Sequence, residues 1–451
     1  MRFLATVAVA SLALSGAWLG VVEAKSVSGD RVLVLVPKVE AAKLYSQFLD
    51  SLTSRGFDLS VRAATNTSVA LQVDGVRIYD HAVVLSPESK KLGANLSVRD
   101  FASFVDDGGN LIVAASSELS ELGRKLAARF GVEYEKRRTA VIDHVAHLRA
   151  VNDTSDHTLV AAIPSKAASP VLSEQFALAQ SSPVYFKGIA HKYELSNPML
   201  IPVLTGSRTT YSAAAASDAN ESASPSISLS GKPVGLVSLF QARNNARVAF
   251  SGSAALFSDA LLSHAAGANK QFTTDISQWV LQEKAVLRET AHRHYLASTG
   301  QRPEHYRISN EIVYEIDLSV YHDDAWHPYN AKDVQFEAIM LDPYIRTTLN
   351  SSESADPKTT ATYHGDIKLP DRYGTFTFRV NYKRPGFSNV DVKDTVGIWP
   401  LRHDEYPRFL SAAYPYYTGS LVMAVGFLAL CAVWMWSAEP KTKRAAKHKS
   451  N

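Results

Sequence analysis

The chain has 451 residues, of which 47 are Lys or Arg and 44 are Asp or Glu, so its formal net charge is only +3. So small a positive excess gives no indication of nucleic-acid binding. The only cysteine, Cys431, lies in an apolar segment near the carboxyl end. Disulfide bonds, a cysteine nucleophile and cysteine-ligated zinc are therefore excluded from the rest of the chain.

The amino-terminal residues 1–24 have the pattern of a secretory signal peptide. Arg2 precedes a long run of small apolar residues, and Val22-Glu23-Ala24 is typical of a cleavage site. We expect the mature chain to begin after about Ala24. The alternative is a retained amino-terminal anchor.

Residues 25–290 are predicted to form an α/β region of one or two subdomains. Short β-branched runs with the pattern of buried strands alternate here with segments of helical spacing. The strand patterns are 31–37, 81–87 and 110–116, and the helical patterns are 41–57 and 97–109. This alternation favours a parallel sheet with crossover helices.

The pattern is weaker from about residue 120 onward. Residues 235–262 predict a hairpin that turns at Ala242–Asn245 and leads into a helix, and residues 268–287 predict another helix. The segment 212–228 is poor in large apolar residues, so we expect it to be an exposed loop of low complexity.

The stretch 104–116 (FVDDGGNLIVAAS) allows two interpretations. Asp106 and Asp107 could form an acid pair beside an anion-binding turn, or Gly108 and Gly109 could simply end a helix whose N-cap is Ser97. Phosphate cradles lie at helix amino termini, after a strand, whereas here a helix precedes the glycines. We therefore favour the structural interpretation.

After residue 294 the period changes to an alternation of apolar and polar residues. Residues 294–413 are therefore predicted to form an all-β, sandwich-like domain. His322-Asp323-Asp324 is expected to be a polar turn within it.

Motifs of catalysis or cofactor binding are absent, since the sequence has no Walker A, GxGxxG, GxSxG or HExxH pattern. Gly252-Ser253 is the nearest approach to a nucleophile turn, but it lacks the flanking glycines. His144 and His147 could share a helix face, yet a metal would need further ligands that the sequence does not identify. We predict no catalytic residue, no cofactor and no metal.

Five Asn-x-Ser/Thr sequons are candidate glycosylation sites in a secretory protein. They lie at Asn66, Asn95, Asn152, Asn220 and Asn350. We expect Asn220 to be the most accessible, because its loop is expected to be exposed.

Residues 418–437 are apolar and free of charge. A helix of this length, at about 1.5 Å per residue, spans about 30 Å, the thickness of a hydrocarbon core. Aromatic residues suited to the membrane interfaces lie at both ends. Gly419, Ala424 and Gly426 are small enough to let a neighbouring helix approach closely, so they are candidate docking positions.

The tail 438–451 contains five basic residues against one acid, Glu439. Positive charge marks the cytosolic side of a membrane, so we expect a single-pass type I protein with its bulk in the lumen. Lys447 and Lys449 have the spacing of a dilysine retrieval signal of the endoplasmic reticulum.

Four segments resemble a known family. They are 197–212 (NPMLIPVLTGSRTTYS), 247–259 (RVAFSGSAALFSD), 371–388 (DRYGTFTFRVNYKRPGFS) and 405–420 (EYPRFLSAAYPYYTGS). With the apolar segment and the lysine tail, they are similar to the non-catalytic lumenal subunit of the oligosaccharyltransferase complex, of the DDOST or Wbp type. The resemblance covers nearly the whole chain, apart from the loop at 212–228.

This resemblance implies an accessory subunit of the endoplasmic reticulum membrane that supports transfer of oligosaccharide from dolichyl diphosphate to Asn-x-Ser/Thr. It implies three partners: a ribophorin II-type subunit, a small multi-span subunit and a separate catalytic subunit. It also implies a glutamine-amidotransferase-like fold at the amino terminus. The alternatives are a stand-alone membrane-anchored hydrolase or transferase, and a type I trafficking receptor.

Overall fold

The structure is a computed structural model. It describes residues 26–89, 92–93, 96–148, 157–165, 170–176, 182–194, 196–214, 227–264, 267–352, 357–406 and 410–437. Residues 1–24, most of the loop 212–228 and the tail with Lys447 and Lys449 lie outside the described residues, as do the sequon residues Asn95, Asn152 and Asn220.

The amino-terminal domain (residues 26–285) mixes strands and helices. Its strands are β1 (Arg31–Val36), β2 (Asp58–Ala63), β3 (Gln72–Val73), β4 (Val76–Arg77), β5 (His81–Val84), β6 (Asn110–Ala114), β7 (Val132–Tyr134), β8 (Thr139–Ile142), β9 (Val160–Ala162), β10 (Val184–Phe186), β11 (His191–Tyr193), β12 (Leu200–Thr205), β13 (Tyr211–Ala214), β14 (Leu229–Ser230), β15 (Gly235–Gln241) and β16 (Arg247–Ser251). Its helices are α1 (Ser46–Ser54), α2 (Val98–Asp106), α3 (Glu121–Arg129), α4 (Asp259–Leu262) and α5 (Asn269–Val280), with 3₁₀ turns at Val39–Tyr45, Glu174–Phe176 and Ala255–Phe257.

A nine-stranded sheet organises this domain, in the order β2-β1-β5-β6-β16-β15-β11-β7 with β12 also paired to β15. The strands β2, β1, β5, β6 and β16 are parallel, and β15 turns back antiparallel on β16. Successive side chains of β1 enter two different cores: Val32, Val34 and Val36 lie in one, and Leu33 and Leu35 in the other. Burial on both faces is the usual state of a parallel sheet. The predicted α/β class is confirmed.

The helix expected over 41–57 begins later than its apolar spacing indicates. A 3₁₀ turn occupies Val39–Tyr45, and α1 starts only at Ser46. Leu44, which the helical spacing places on the buried face with Phe48, is exposed, and Tyr45 is buried instead. A 3₁₀ turn has three residues per turn rather than 3.6, so it presents a different residue to the core.

The helix expected over 268–287 also differs from the prediction. It ends at Val280, and the next strand begins at Val286. Gln282 and Ala285 have positive φ angles of 59° and 57°, which a helix cannot contain. The intervening turn is fixed by contacts from distant elements, described below.

The β domain (residues 286–406) contains strands without a helix in its described part. Its strands are β17 (Val286–Leu296), β18 (Tyr306–Arg307), β19 (Glu311–His322), β20 (Ala325–Pro328), β21 (Gln335–Ile339), β22 (Pro343–Thr348), β23 (Asn350–Ser352), β24 (Ala361–Lys368), β25 (Gly374–Tyr382) and β26 (Val390–Trp399). One sheet has the order β17-β19-β24-β23 with β20 on β19, and the other has the order β18-β26-β25-β21-β22. A single apolar core involves strands of both sheets, so the β-rich expectation is confirmed.

After a 3₁₀ turn at Ser411–Ala413, the described chain ends in α6 (Tyr414–Trp436). The helical segment Ser411–Trp436 is long and apolar enough to cross a membrane, and none of it is buried against the rest of the protein. It fits the single span expected from the sequence.

The stretch at Asp106–Gly109 ends a helix. Ser97 and Asp100 form a capping box at the start of α2, and Gly108 adopts a φ of 92° after its last residue. Asp106 and Asp107 are exposed, and the carboxylate of Asp107 accepts a hydrogen bond from Gln72 Nε2 at 2.6 Å. Gly109 is packed so closely that an added Cβ would lie 2.4 Å from the Phe104 ring.

Replacing Gly109 with Val should therefore destabilise the protein, because the new side chain must displace the fully buried Phe104 ring. We expect a loss of about 1–3 kcal/mol in the free energy of unfolding, measured as a lower thermal midpoint of the detergent-solubilised full chain. The matched control is the double variant Asp106→Asn with Asp107→Asn. Its free energy of unfolding should lie within about 0.5 kcal/mol of the parent's. A Gly109→Val protein as stable as the parent would contradict the packing argument.

Candidate functional site at the domain joint

The loop 383–389 (KRPGFSN) joins β25 to β26 and inserts against the amino-terminal domain. The fully buried indole of Trp279, on α5, donates its Nε1 hydrogen to the backbone oxygen of Gly386 at 2.7 Å. Phe387 packs partly buried against the cores of both domains. A buried indole N–H needs an acceptor, and here the other domain supplies it.

Ser388 and Asn389 extend this contact through polar groups. The Ser388 amide donates to the Ala285 oxygen at 3.2 Å, and the Leu287 amide donates to Ser388 Oγ at 2.6 Å. Asn245 and Asn389 form a reciprocal pair: Asn245 Nδ2 donates to the Asn389 oxygen at 3.0 Å, and the Asn389 amide donates to Asn245 Oδ1 at 2.7 Å. These bonds are directional, so they fix the orientation of one domain relative to the other.

Arg247 is a buried cation that lies next to this joint. Its guanidinium donates to the backbone oxygens of Trp279, Lys284 and Ala285 at 2.7–2.8 Å and lies 4.6 Å from the centroid of the Trp279 ring. Burial lowers the pKa of Arg247 to about 9. The carbonyls at a helix carboxyl end carry partial negative charge, which stabilises such a cation. Arg247 thus fixes the turn between α5 and β17.

Two buried ion pairs hold the same turn. Arg55 Nη1 lies 2.5 Å from the Glu283 carboxylate, and Lys284 Nζ lies 3.0 Å from that of Asp275. Burial lowers the pKa of Arg55 and of Lys284, and the paired carboxylates oppose that change. Because each charge has its partner, these pairs specify where the turn lies rather than offering a reactive group.

A cleft of about 270 Å³ opens beside the joint. Exposed basic side chains from both domains line this cleft: Arg243 from the amino-terminal domain, and Lys383 and Arg384 from the loop. Arg384 also forms an ion pair with Asp333 and lies 5.6 Å from the centroid of the Tyr382 ring. Pro198, Met199 and Ile201 form part of its apolar lining.

Ser253, the nearest approach to a nucleophile in the sequence, is not available for chemistry. It is fully buried, and its Oγ donates to the Lys187 backbone oxygen at 2.5 Å and accepts from the Leu256 amide at 3.2 Å. An added Cβ at the adjacent Gly252 would lie 2.0 Å from the Ile189 oxygen. Close packing at a strand end therefore accounts for this Gly-Ser pair.

His144 and His147 are joined by a third histidine that sequence spacing does not reveal. The His157 ring contacts both at centroid distances of 4.4 and 4.6 Å, and His144 Nε2 lies 2.8 Å from the Tyr211 hydroxyl. In the described part of the chain, no group of three His, Cys, Asp or Glu side chains is arranged to hold a metal ion. The His157 ring meets each of the other two edge to face, as packed aromatic rings do.

Asp143, next to this histidine cluster, is held by donors. Ser207, Thr209 and Thr210 donate hydroxyl hydrogens to its carboxylate at 2.6–2.9 Å, and the amides of Val145 and Ala146 donate at 2.9 Å. Burial opposes ionisation, but these donors outweigh it and hold the pKa of Asp143 well below its usual range. The carboxylate therefore stays ionised. It fixes the loop that follows β8, the strand paired with β13.

Three further predicted features lie in turns and at a strand end of the described residues. His322-Asp323-Asp324 forms the turn between β19 and β20, as expected, with positive φ angles at both aspartates. Asn350 is exposed at the start of β23. Asn66 is half-buried, and its Oδ1 accepts hydrogen bonds from the amide and hydroxyl of Ser68.

The sequence analysis did not identify the residues of the joint as a unit. Two local signals were present: an arginine at the head of an otherwise apolar strand, RVAFS, and a Pro-Gly turn inside the segment that resembles the family. Neither of these local signals shows which carbonyls Arg247 binds, because its partners lie 32–38 residues further along the chain.

In the described residues, an α/β domain fixed to a β sandwich is followed by one apolar helix long enough to cross a membrane, and this arrangement defines the class of the protein. The family model "OST48, N-terminal domain" matches residues 23–283, and "OST48 middle domain" matches residues 294–438.

Curated relatives extend over nearly the whole chain. This chain is 34% identical over 419 residues to the "Dolichyl-diphosphooligosaccharide--protein glycosyltransferase 48 kDa subunit" of Arabidopsis thaliana, and the match covers 90% of this chain and 92% of that protein. It is 33% identical over 430 residues to the protein of the same name from Danio rerio, covering 92% and 94%. The chain belongs to the family of this 48 kDa subunit.

Among solved structures, a putative ThuA-like protein from Parabacteroides merdae matches 56% of this chain and 90% of its own, at 12% identity and a TM-score of 0.28. So low a score carries no argument about the fold.

Replacing Trp279 with Phe should loosen the joint, because it keeps the ring but leaves the buried Gly386 oxygen without its donor. We expect a loss of about 1–3 kcal/mol in the free energy of unfolding and faster amide hydrogen exchange in residues 383–389. The matched control is Trp399→Phe, since that ring stacks on His305 at the end of β26 opposite the loop 383–389. Unchanged exchange in the loop of the Trp279 variant would show that the indole hydrogen bond does not hold it.

Proposed function

We propose that this chain is a non-catalytic subunit of an oligosaccharyltransferase complex in the endoplasmic reticulum membrane. The observation that carries the proposal is its similarity, along nearly its whole length, to proteins named as the 48 kDa subunit of that enzyme. In this role the chain supports transfer of oligosaccharide from dolichyl diphosphate to the Asn of Asn-x-Ser/Thr, while a separate polypeptide performs the chemistry.

The state of the candidate reactive groups supports an accessory role. Ser253 is buried in backbone hydrogen bonds, Arg247 is occupied by three carbonyls, and Asp143 by hydroxyl and amide donors. Side chains whose hydrogen bonds are made within the protein in this way stabilise the folded structure. The joint and the span supply what an accessory subunit needs, which is a fixed surface at a fixed place on the membrane.

The proposed orientation places both folded domains in the lumen and the basic tail in the cytosol. The exposed side chain of Asn350 could then receive a glycan, and Lys447 and Lys449 would serve as the retrieval signal. A tail reporter in which serine replaces both lysines tests the signal apart from the complex, because partners could otherwise retain the protein.

Native purification should recover the chain with its proposed partners. From mild detergent we expect a tagged full chain to bring down the catalytic subunit, a ribophorin II-type subunit and a small multi-span subunit. Depletion of the chain should leave sequons of secreted glycoproteins unoccupied. Recovery of an active hydrolase or transferase without partners would favour a stand-alone enzyme, and residence beyond the endoplasmic reticulum as a monomer would favour a trafficking receptor.

The three candidate docking positions of α6 lie on two different faces of the helix. Residues are about 100° apart around a helix, so Gly419 and Gly426, seven residues apart, share one face, and Ala424 lies about 140° from Gly419. The glycine face allows the closest approach of a partner helix. We therefore place the proposed docking contact at Gly419 and Gly426 and use Ala424 as its control.

Replacing Gly426 with Leu should leave membrane insertion intact, since the segment stays apolar, but should keep a partner helix at a greater distance. We expect fewer co-purifying subunits and lower glycan occupancy in cells that lack the parent protein. Ala424→Leu should assemble as the parent does. If both variants assemble normally, the span is only an anchor and assembly depends on the folded domains.

A further inference from the structure

The two ends of the β sandwich have different neighbours. Residue pairing between β25 and β26 runs from Gly374↔Ile398 at one end to Tyr382↔Val390 at the other. The Tyr382 end continues into the loop 383–389, which is fixed to the amino-terminal domain. The Ile398 end continues through Trp399 toward α6. At about 3.3 Å per residue, these strands separate the two ends by about 30 Å.

The Ile398 end, called here the span-side end, exposes large apolar and aromatic side chains. Leu341 is 92% exposed, Tyr373 69% and Trp399 50%, and Met340 and Tyr344 are also exposed. They lie where β21 turns into β22, immediately before β25 and at the end of β26, which are neighbouring strands of one sheet.

Contacts between these residues make the surface continuous. An added Cβ at Gly374, the residue after Tyr373, would lie 2.8 Å from Met340 Cε. The Tyr344 ring lies 5.6 Å from that of Phe376. Three strand spacings of about 4.8 Å separate β26 from β22, so the surface is about 15 Å wide. An exposed apolar surface of this kind marks a site of interaction.

A short linker joins this end to α6. Arg307 Nη1 donates to the Pro400 oxygen at 3.2 Å, and Arg307 Nε lies 3.3 Å from the Glu405 carboxylate. Residues 400–405 therefore remain beside β18 and Trp399. Only residues 406–413 separate this anchored point from Tyr414, the first residue of α6. Eight residues reach at most about 28 Å.

We propose that the span-side end, formed by Met340, Leu341, Tyr344, Tyr373 and Trp399, contacts the lipid interface beside the chain's own span. Tyr and Trp rings favour that interface, and Tyr414, Tyr416 and Tyr417 bring the same chemistry to the start of α6. A surface joined to the apolar helix by a linker of eight residues fits lipid as its partner. With this second contact the β domain stands on the membrane instead of pivoting about the linker, and it holds the amino-terminal domain about 30 Å above the surface.

The test uses the full chain in lipid nanodiscs. Cys431→Ser removes the only native cysteine, and Leu341→Cys or Tyr373→Cys then carries a nitroxide label. Ser351→Cys is the control, because this exposed residue of β23 pairs with Tyr363 toward the other end of the sandwich. All three sites are exposed, so the substitutions spare the core; matching thermal midpoints verify this.

Collision rates with oxygen, which enters lipid, and with a water-soluble nickel chelate locate each label. We expect an oxygen-to-nickel ratio several-fold higher at Leu341 and Tyr373 than at Ser351. Equal ratios at all three sites would overturn the proposal. The same measurement in the purified native complex separates lipid from protein: labels shielded from both reagents there would overturn the proposal in favour of a partner protein.

Discussion

The arrangement of this protein depends on one hydrogen bond between its domains, from the buried Trp279 indole to the Gly386 oxygen. An indole N–H removed from water needs an acceptor, and the carbonyl of a Pro-Gly turn in the other domain meets that need. The donor lies near the end of α5 in the α/β domain and the acceptor lies in a loop of the β domain, so this contact links the two architectures. Ser388, Asn389 and Asn245 then fix the angle at which they meet.

Three buried cations serve the same joint. Arg247, Arg55 and Lys284 surround a turn of a few residues, and each is bound by carbonyls or by a carboxylate. Such groups are costly to bury and more costly to separate from their partners, so they specify one conformation of the turn. Burial lowers the pKa of Arg247, and three backbone oxygens bind its guanidinium. In an enzyme a perturbed pKa often marks a catalytic residue, whereas here it accompanies a structural contact.

The β sandwich consequently has a role that its fold alone does not assign. One end carries the loop that fixes the amino-terminal domain, and the other leads to the membrane helix, so the strands act as a spacer of about 30 Å. A subunit built in this way can present a large surface at a set height above a bilayer. That property suits a component of a membrane-bound complex.

The sequence by itself determined the features that depend on local periodicity. Alternating strand and helix patterns predicted the parallel sheet, period-two alternation predicted the β domain, and a charge-free run predicted the single helix that fits a span. Each is a regularity within a short window, and burial of one face or of a whole segment enforces it. Where the local geometry changed, as in the 3₁₀ turn before Ser46 or the left-handed residues after Val280, the prediction failed within the same window.

Only the tertiary structure decided which residues meet. Trp279 and Gly386 are separated by 107 residues, and His157 joins His144 and His147 although helical spacing does not connect it to them. The apolar side chains at the span-side end come from three separate segments, and each alone would pass as an isolated exposed hydrophobic residue. Such contacts arise from how whole sheets and loops pack. That packing is a property of the complete chain, and the pattern of any one segment does not contain it.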